Sequence, residues 1–479
     1  MKNIKKNYIY NIFYQVLLII IPFITAPYLS RVIGATGSGI YSYTYSIAYY
    51  FMLIAMLGIN NYGNRAIAKS RDNKEKLSRT FLEIYSIQLV MTIIMLILFG
   101  IFVALTNYQY KSILMLQILC IISVVFDINW FFQGMEQFKI IVTRNSIVKI
   151  ATLIAIFLFV KNSDDLWKYT AIMAIGTLLG QIVSWGFLKK YITFQKIKWN
   201  NIKKHIPKII ILFIPTIAIS IYQIMDKIML GSISNMNEVG FYEYSEKIVS
   251  IPISIIASLG AVMLPHMSNL ISKGKVKECK EYVGYSLKFQ LFVALPMALG
   301  IIAVSPEFIP IYLGEDFGRC ILITCCLACM VPFVAWQTVL RTQYLLPMNK
   351  DKDYVVSTFV GAITNFVANS ILIPQYGGAG AAVGTVIAEF SVMAYITFRL
   401  RKELDLAIYL KNVLPIFGKA LIMFVVVYSI GFLPFTSIVK MLLQILIGVV
   451  LYICMNIQYI KAATNYDLYI KKLKKKLVH

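Results

Sequence analysis

The stretch "GIYSYTYSIAYY", residues 39–50, decides the fold. Tyrosine and serine alternate in it as in a half-solvated β-strand, yet it continues without a break into the apolar "FMLIAMLGI" of residues 51–59. Strands that cross a membrane are short, about 10 residues, and alternate throughout, whereas a long run that is apolar on most sides is typical of a helix. The stretch therefore predicts the start of a membrane-spanning helix that carries polar groups on one side.

The composition is that of a membrane protein. Of the 479 residues, 59% are hydrophobic and only 14% are charged, and the mean hydropathy is +0.73. Apolar segments of about 20 residues recur from end to end, and segments of that length cross a bilayer as helices. We therefore expect an all-α polytopic membrane protein with about 14 spans. The predicted spans lie near residues 11–33, 41–63, 82–105, 112–133, 145–161, 168–188, 207–232, 239–263, 285–305, 319–340, 355–373, 378–398, 412–433 and 437–459.

The basic residues predict the orientation. With the N-terminus placed in the cytoplasm, 38 of the 46 Lys and Arg residues fall in the loops and termini that then face inside. Cytoplasmic loops carry such an excess of positive charge, so we expect both termini in the cytoplasm. The net charge of +24 is thereby explained by loops that lie near anionic lipid, and no nucleic-acid partner is expected.

Motifs for catalysis and for metal binding are missing from the sequence. It contains no Walker A loop, and no cluster of His, Cys or carboxylates has the spacing of a metal site. The Cys326-x-x-Cys329 pair has no second pair in the chain, which favours apolar packing over zinc or redox chemistry. We expect a protein that is not an enzyme and that carries no metal or cofactor.

An internal repeat organises the chain. When the sequence is shifted by 201 residues, "GIYSYTYSI" at 39–47 lies over "GFYEYSEKI" at 240–248. Six spans separate the two copies, so the repeats are parallel, as in transporters whose halves are related by an axis along the membrane normal. The predicted domains are residues 1–206 and 207–400, each a six-helix lobe, and 401–479, an extra helix pair with a basic tail.

Polar and charged groups recur on the repeated helices. Charges at membrane depth cost several kcal/mol unless they face protein or water, so we expect these groups to line a polar cavity between the lobes. The alternative is structural, because Glu243 and Lys247 are spaced for an i, i+4 pair and interfacial tyrosines are common. The candidate cavity residues are Arg31, Tyr41, Tyr45, Asp226, Lys227, Tyr242, Glu243, Glu246 and Lys247.

A second polar stretch, "DINWFFQGMEQFKIIVTRN" at residues 127–145, ends the fourth span. Asp127, Gln133, Glu136 and Arg144 are candidates for a cytoplasmic entrance that contacts an anionic headgroup, since arginine suits phosphate. Anchoring of the helix at the lipid interface is the alternative reading. Glu389, a lone carboxylate in the twelfth span, is either a coupling-ion site or a packing hydrogen-bond partner.

These stretches, together with "PYLSRVIGATGSGIYSYTYSI" (27–47) and "DKIMLGSISNMNEVGFYEYSEKI" (226–248), resemble the Wzx-like polysaccharide repeat-unit flippases. That family forms the polysaccharide transporter branch of the multidrug/oligosaccharidyl-lipid/polysaccharide (MOP) exporter superfamily. The resemblance implies a MOP-type fold with two six-span lobes in the bacterial cytoplasmic membrane. It also implies alternating-access transport of undecaprenyl-pyrophosphate-linked oligosaccharides for capsule, exopolysaccharide or O-antigen.

The resemblance also suggests roles for the candidate residues. Arg31, Lys227 and Lys247 would contact the pyrophosphate or acidic sugars. Carboxylates of Asp226, Glu243 and Glu246 would couple transport to a proton or sodium gradient or act as gates, and sugars would stack on aromatic rings. The rings assigned to stacking are those of Tyr41, Tyr45 and Tyr242.

Expected partners are the lipid-linked oligosaccharide, membrane lipids, a polysaccharide polymerase and chain-length proteins. Three other functions stay open: a flippase for teichoic-acid or other cell-wall precursors, an exporter of small molecules similar to the multidrug (MATE) transporters, and a membrane polysaccharide polymerase. The polymerase is disfavoured because the outer loops of this chain are short.

Overall fold

A computed structural model describes residues 17, 18 and 20–461 of the chain. Within these residues the secondary structure is helical and includes no β-strand. Thirteen described segments are long and apolar enough to cross a membrane, and Ile20–Val32 adds a shorter apolar helix. The predicted all-α membrane fold with about 14 spans is thereby confirmed. Residues 11–16 and 19 of the first predicted span, and the tail from 462 onward, lie outside the described residues.

The helices are numbered in chain order, and several predicted spans consist of more than one helix. Three short turns accompany them, at Ser163–Asp165, Glu315–Phe317 and Arg341–Leu345, the last of π type. The helices are α1 (Ile20–Val32), α2 (Gly34–Met56), α3 (Ile59–Ser70), α4 (Lys74–Leu105), α5 (Lys111–Leu116), α6 (Ile118–Phe126), α7 (Asn129–Gly134), α8 (Phe138–Phe159), α9 (Leu166–Leu188), α10 (Trp199–Lys203), α11 (Ile206–Ile233), α12 (Met236–Ser272), α13 (Val276–Leu313), α14 (Arg319–Ala328), α15 (Val331–Leu340), α16 (Asp351–Tyr376), α17 (Gly378–Leu400), α18 (Leu406–Ile430) and α19 (Ser437–Met455).

The chain forms two compact units. The first comprises Met1–Lys247 and Asn365–Ala381, and the second comprises Ile248–Thr364 and Ala382–His479. The lobe boundaries inferred from the repeat, at residues 206 and 400, stay predictions.

An aromatic core in the first unit surrounds Trp130, which is fully buried. Its ring stacks on Phe81 at 5.4 Å between centroids, and its Nε1 donates to Oε1 of Gln88 at 2.9 Å. Gly63 on α3 makes room for the indole, since a Cβ there would lie 2.5 Å from the ring. The "DINWFFQG" motif therefore packs α7 against α3 in this unit.

The most informative contact of the first unit is the crossing of α2 and α12. A Cβ added to Gly39 would lie 1.8 Å from the carbonyl oxygen of Met236, and one added to Gly240 would lie 2.0 Å from that of Ala35. In the 201-residue repeat, Met236 is the copy of Ala35 and Gly240 is the copy of Gly39. The contact is thus reciprocal, as it is across a twofold axis.

Two further pairs join residues that the repeat makes equivalent. The Thr36 hydroxyl donates to Oδ1 of Asn237, and the Ser42 hydroxyl donates to Oε2 of Glu243 at 2.8 Å. Both pairs are separated by 201 residues. The register inferred from the sequence repeat is therefore the register in which the two helices meet.

Buried polar side chains of α15, of the first part of α16 and of α17 bond to one another in the second unit. Nε2 of Gln337 donates to the carboxylate of Glu389, as expected for a packing hydrogen bond. The Arg341 guanidinium donates to the hydroxyls of Ser357 and Thr358, at 2.9 and 3.0 Å. These bonds satisfy polar groups that the surrounding apolar helices could not.

A further ionic contact of the second unit involves Glu403, in the loop before α18. Partial burial alone would raise the pKa of its carboxyl, but hydrogen bonds from Lys350 and Tyr344 hold that pKa below its ordinary value. The carboxylate therefore stays ionised at neutral pH and joins this loop to the residues that follow α15.

The α2–α12 crossing makes a prediction about stability. Gly39→Ala places a methyl group against backbone that cannot rotate away, so we expect a loss of about 1–3 kcal/mol in the free energy of unfolding, or failure to fold. Gly186→Ala is the matched control, because Gly186 is a helical glycine with open space around its Cβ position. Thermal unfolding in detergent measures both; equal midpoints for Gly39→Ala and wild type would contradict the close crossing.

Candidate substrate site

Charged side chains of α11 and α12 meet in the first unit. We call Asp226, Lys227, Glu243, Glu246 and Lys247 the charge cluster. Nζ of Lys227 lies 2.6 Å from Oε2 of Glu243 and 2.8 Å from Oε2 of Glu246. Nζ of Lys247 lies 3.0 Å from Oε1 of Glu243, so the predicted i, i+4 pair is present. Lys227 of α11 therefore binds both glutamates of the charge cluster, which lie on α12.

Helical spacing explains why these groups meet. Residues three and four apart share one face of a helix, which brings Glu243, Glu246 and Lys247 together on α12. Glu243 receives two ammonium groups and the Ser42 hydroxyl and is only 16% exposed, whereas the Glu246 and Lys247 side chains are 33% and 34% exposed. The cluster thus has a buried half that fixes the helices and an accessible half that can meet a ligand.

Asp226 belongs to the buried half and is 2% exposed. Its carboxylate accepts hydrogen bonds from the Tyr242 hydroxyl and from Nδ2 of Asn369, each at 2.6 Å. Asn369 also donates to Oδ1 of Asn365 at 3.3 Å. Both asparagines lie on α16, one turn apart, and neither is among the residues predicted from the sequence. The available signal was a pair of amides at i, i+4 in an apolar span.

The tyrosines of α2 form a ladder along that helix. Ring centroids of Tyr41 and Tyr45 are 5.9 Å apart in a stacked arrangement, and those of Tyr45 and Tyr49 are 6.4 Å apart. Tyr169 of α9, which the sequence argument did not single out, packs edge-on against Tyr41 at 4.7 Å. Tyr45 is 36% exposed, so an aromatic face remains available on this ladder. The ring of Tyr242, in contrast, is buried.

Arg31 lies in an exposed position near the end of α1. Its Nη1 donates to the carbonyl oxygen of Pro27 at 2.6 Å, within the same helix. The predicted contact of Arg31 with substrate stays a prediction.

At the predicted entrance, Arg144 is buried and bound by polar side chains. Its Nη2 donates to Oδ1 of Asn129 at 2.9 Å, and its Nη1 donates to Oε1 of Gln181 at 3.2 Å and to the Ser184 hydroxyl. Arg144 and Lys149 line a cavity of about 230 Å³ between α8 and α9. A basic cavity is therefore present at this position.

The other entrance candidates lie at helix breaks instead of on one continuous helical face. Oδ1 of Asp127 accepts from the backbone N–H of Asn129 at 3.0 Å, where α6 has ended and α7 begins. Glu136 adopts a left-handed backbone conformation with φ of 57° and pairs with Arg71 at 2.7 Å. Gln133 is half-buried near the end of α7. Of these three residues, only Glu136 presents an exposed charge.

Comparison with solved structures defines the class of protein. The chain is similar to the "Lipid II flippase MurJ, inward closed conformation", with a TM-score of 0.76 and 20% identity over 95% of this chain and 99% of that one. It is also similar to an inward-facing multidrug resistance MATE family transporter of the MOP superfamily, with a TM-score of 0.59 and 13% identity over 82% and 99% of the two chains. The fold is thus that of the MOP superfamily of membrane transporters and flippases.

Sequence comparison gives the family. The model of the family described as "Polysaccharide biosynthesis protein" matches residues 4–271, and the MatE model matches residues 212–371. A relative named "Putative O-antigen transporter" from Escherichia coli (strain K12) is 20% identical over 406 residues, which cover 84% of this chain and 97% of the relative. The chain belongs to the polysaccharide biosynthesis protein family, and the predicted family resemblance is confirmed.

The shared ammonium of Lys227 makes the second prediction. Lys227→Met leaves Glu246 without its ammonium partner and removes one from Glu243, so we expect a loss of about 1.5–3 kcal/mol in the free energy of unfolding. The double variant Lys227→Met/Glu246→Gln should recover part of that loss, because one uncompensated carboxylate is removed.

The matched control is Lys275→Met, which breaks the exposed Lys275–Glu278 pair and should change stability by less than about 0.5 kcal/mol. Chemical or thermal unfolding in detergent compares the four proteins. Equal effects of Lys227→Met and Lys275→Met would show that the cluster does not hold α11 to α12.

Proposed function

We propose that the protein is a flippase that moves undecaprenyl-pyrophosphate-linked oligosaccharide repeat units across the cytoplasmic membrane by alternating access. The repeat units would be precursors of a capsule, an exopolysaccharide or O-antigen. In this proposal the protein lies in the bacterial inner membrane with both termini in the cytoplasm. The substrate's lipid chain stays in the bilayer while its sugar and phosphate pass through the protein.

The charge cluster, together with the tyrosine ladder, is the observation that carries this proposal. Polar groups in a hydrocarbon environment are costly, so an accessible Glu246–Lys247 face within a lipid-embedded bundle calls for a polar ligand or water. The exposed ring of Tyr45 offers an apolar face for the C–H side of a sugar. A headgroup made of sugars and phosphate matches both features, which a purely apolar substrate would not.

The charges suggest a division of roles. Lys227, Lys247 and Arg31 would contact the pyrophosphate or acidic sugars. Lys227 and Lys247 would leave Glu243 and Glu246 to bind the substrate and would return to them after its release. A proton or sodium gradient would drive the cycle by acting on these two carboxylates. A polysaccharide polymerase and chain-length proteins would receive the product.

A second candidate is a flippase for a cell-wall precursor such as a teichoic-acid or peptidoglycan intermediate. The structural similarity to a lipid II flippase favours it. It differs from the first candidate only in the headgroup, so the accumulated precursor distinguishes the two.

Deletion of the gene tests the proposal directly. We expect a surface polysaccharide to disappear and its lipid-linked repeat unit to accumulate on the inner leaflet, with both effects reversed by the wild-type gene. Accumulation of a cell-wall precursor would favour the second candidate. An unchanged set of lipid-linked intermediates would contradict both.

The charge cluster and Arg31 predict the outcome of two substitutions. Glu246→Gln and Arg31→Ala should reduce export of the polymer at least tenfold without loss of folded protein, because each removes an accessible charge from the proposed path and Lys227 keeps Glu243 as its partner. Glu278→Gln and Arg79→Ala are matched controls at exposed ion pairs and should export normally. Polymer in the complemented deletion strain is the measurement; wild-type levels in both variants would remove these two residues from the path.

A further inference from the structure

A second basic cavity lies in the first unit, apart from the charge cluster and from the Arg144 cavity. Its volume is about 540 Å³, and residues of α3, α4 and α11 line it. We call it the basic pocket and define it by Tyr62, Arg65, Lys69, Lys76, His205 and Lys208. From the sequence, these cations are predicted only to lie in the positive loops that face inside.

The cations of this pocket are unneutralised. Arg65, Lys69, Lys76 and Lys208 form no ion pair with any part of the chain that the structure describes, and the pocket lining includes neither Asp nor Glu. Glu75, the chain neighbour of Lys76, pairs with Arg79 at 3.0 Å. Like charges that converge on one concavity repel one another and raise the local concentration of anions. The pocket is therefore suited to a multiply charged anion.

A hydrogen-bonded set of side chains holds the wall of the pocket in place. Nε2 of His205 lies 2.9 Å from Oε2 of Glu83, which is buried, and Nδ1 of His205 lies 2.7 Å from the Tyr62 hydroxyl. Both ring nitrogens are thus occupied, so the imidazole and the tyrosine have fixed positions. Among the described residues, Glu83 makes its close contact with His205 and forms no ion pair with the four cations.

One side of the pocket is apolar and continuous with the outside of the helix bundle. Ile211 lines the pocket and is 64% exposed, and Ile210 and Ile214 next to it on α11 are also exposed. Gly58 lets this helix approach α3, because a Cβ there would lie 2.3 Å from the carbonyl oxygen of Ile209. An anionic group in the pocket can therefore carry an apolar chain that leaves along α11.

We infer that the basic pocket binds the phosphate or pyrophosphate of a lipid-linked substrate while its apolar chain lies along Ile210, Ile211 and Ile214. This inference rests on the proposed function, and in the predicted orientation the pocket faces the cytoplasm, where such substrates are made. It assigns the capture of the headgroup to Arg65, Lys69, Lys76 and Lys208, before the sugar reaches the charge cluster. Neither the predicted entrance nor the predicted cavity includes these residues.

Binding to the full-length protein in nanodiscs of phosphatidylcholine tests the inference, with farnesyl pyrophosphate as the probe. We expect the double variant Arg65→Gln/Lys69→Gln to raise the Kd for the probe at least tenfold, and Lys76→Gln/Lys208→Gln to do the same from the facing walls. Lys189→Gln/Lys190→Gln is the matched control, because it removes two exposed cations from the same predicted side of the membrane outside the pocket. Its Kd should stay within twofold of wild type.

Two further arms identify the source of the anion. Inorganic pyrophosphate should bind at least tenfold more weakly than farnesyl pyrophosphate, and nanodiscs that contain phosphatidylglycerol should not displace the probe. Equal affinity for inorganic pyrophosphate, or displacement by phosphatidylglycerol, would overturn the inference in favour of a free-anion site or a general lipid site. Wild-type affinity in both pocket variants would overturn it altogether.

The charge-cluster variant Glu246→Gln separates this test from that of the proposed function. It should bind farnesyl pyrophosphate within twofold of wild type while export falls. If the pocket variants lose the probe but the deletion strain accumulates no lipid-linked sugar, the proposed function fails and the pocket remains a site for prenyl pyrophosphates. If export requires the protein but the pocket variants bind the probe normally, the proposed function stands and the inferred role of the basic pocket fails.

Discussion

The ammonium group of Lys227, held between Glu243 and Glu246, is the interaction on which the rest of the site depends. Removing an ion from water costs several kcal/mol, and only a close partner of opposite charge repays that cost. Because the partners lie on α11 and α12, the pairing fixes the two helices to each other. The glycine crossing at Gly39 and Gly240 then fixes α12 to α2. The position of the tyrosine ladder on α2 follows from these two contacts.

A chemical route follows from the separate placement of the polar groups. The basic pocket carries four unneutralised cations and an apolar side wall, whereas the charge cluster carries both signs of charge and adjoins helices with tyrosine rings. A pyrophosphate needs cations alone, and a neutral or acidic sugar chain needs mixed hydrogen-bonding groups and aromatic faces. In the proposed cycle the headgroup meets the first environment when it is captured and the second when it crosses. The lipid chain remains in the bilayer throughout, so the protein needs no hydrophobic channel for it.

Features of the fold and the site that depend on residues close together in the chain, or on the repeat, could be predicted from the sequence. Contacts between distant helices could not. Apolar length gave the spans, and the repeat of "GIYSYTYSI" gave the register in which Ser42 meets Glu243, because equivalent residues meet where repeats cross. The Glu243–Lys247 pair followed from helical spacing. The contacts of Lys227 with the two glutamates of the cluster, and the bond from Asn369 to Asp226, could not be predicted, since they join helices whose relative rotation the sequence does not contain. The break at Asp127 was missed because the apolar pattern runs through it, and the basic pocket was missed because its cations come from three separate segments.

Cysteine accessibility tests the central claim most directly, namely that the charge cluster lines a water-filled path for a polar headgroup. In a variant without native cysteines, Glu246→Cys and Tyr45→Cys would be treated in native membranes with a water-soluble thiol reagent, beside Ile97→Cys on an exposed apolar position of α4. The account predicts modification at positions 246 and 45, protection there by lipid-linked oligosaccharide, and no modification at 97. If the cysteines at positions 246 and 45 are not modified even without substrate, in a protein that still exports polymer, the account is contradicted.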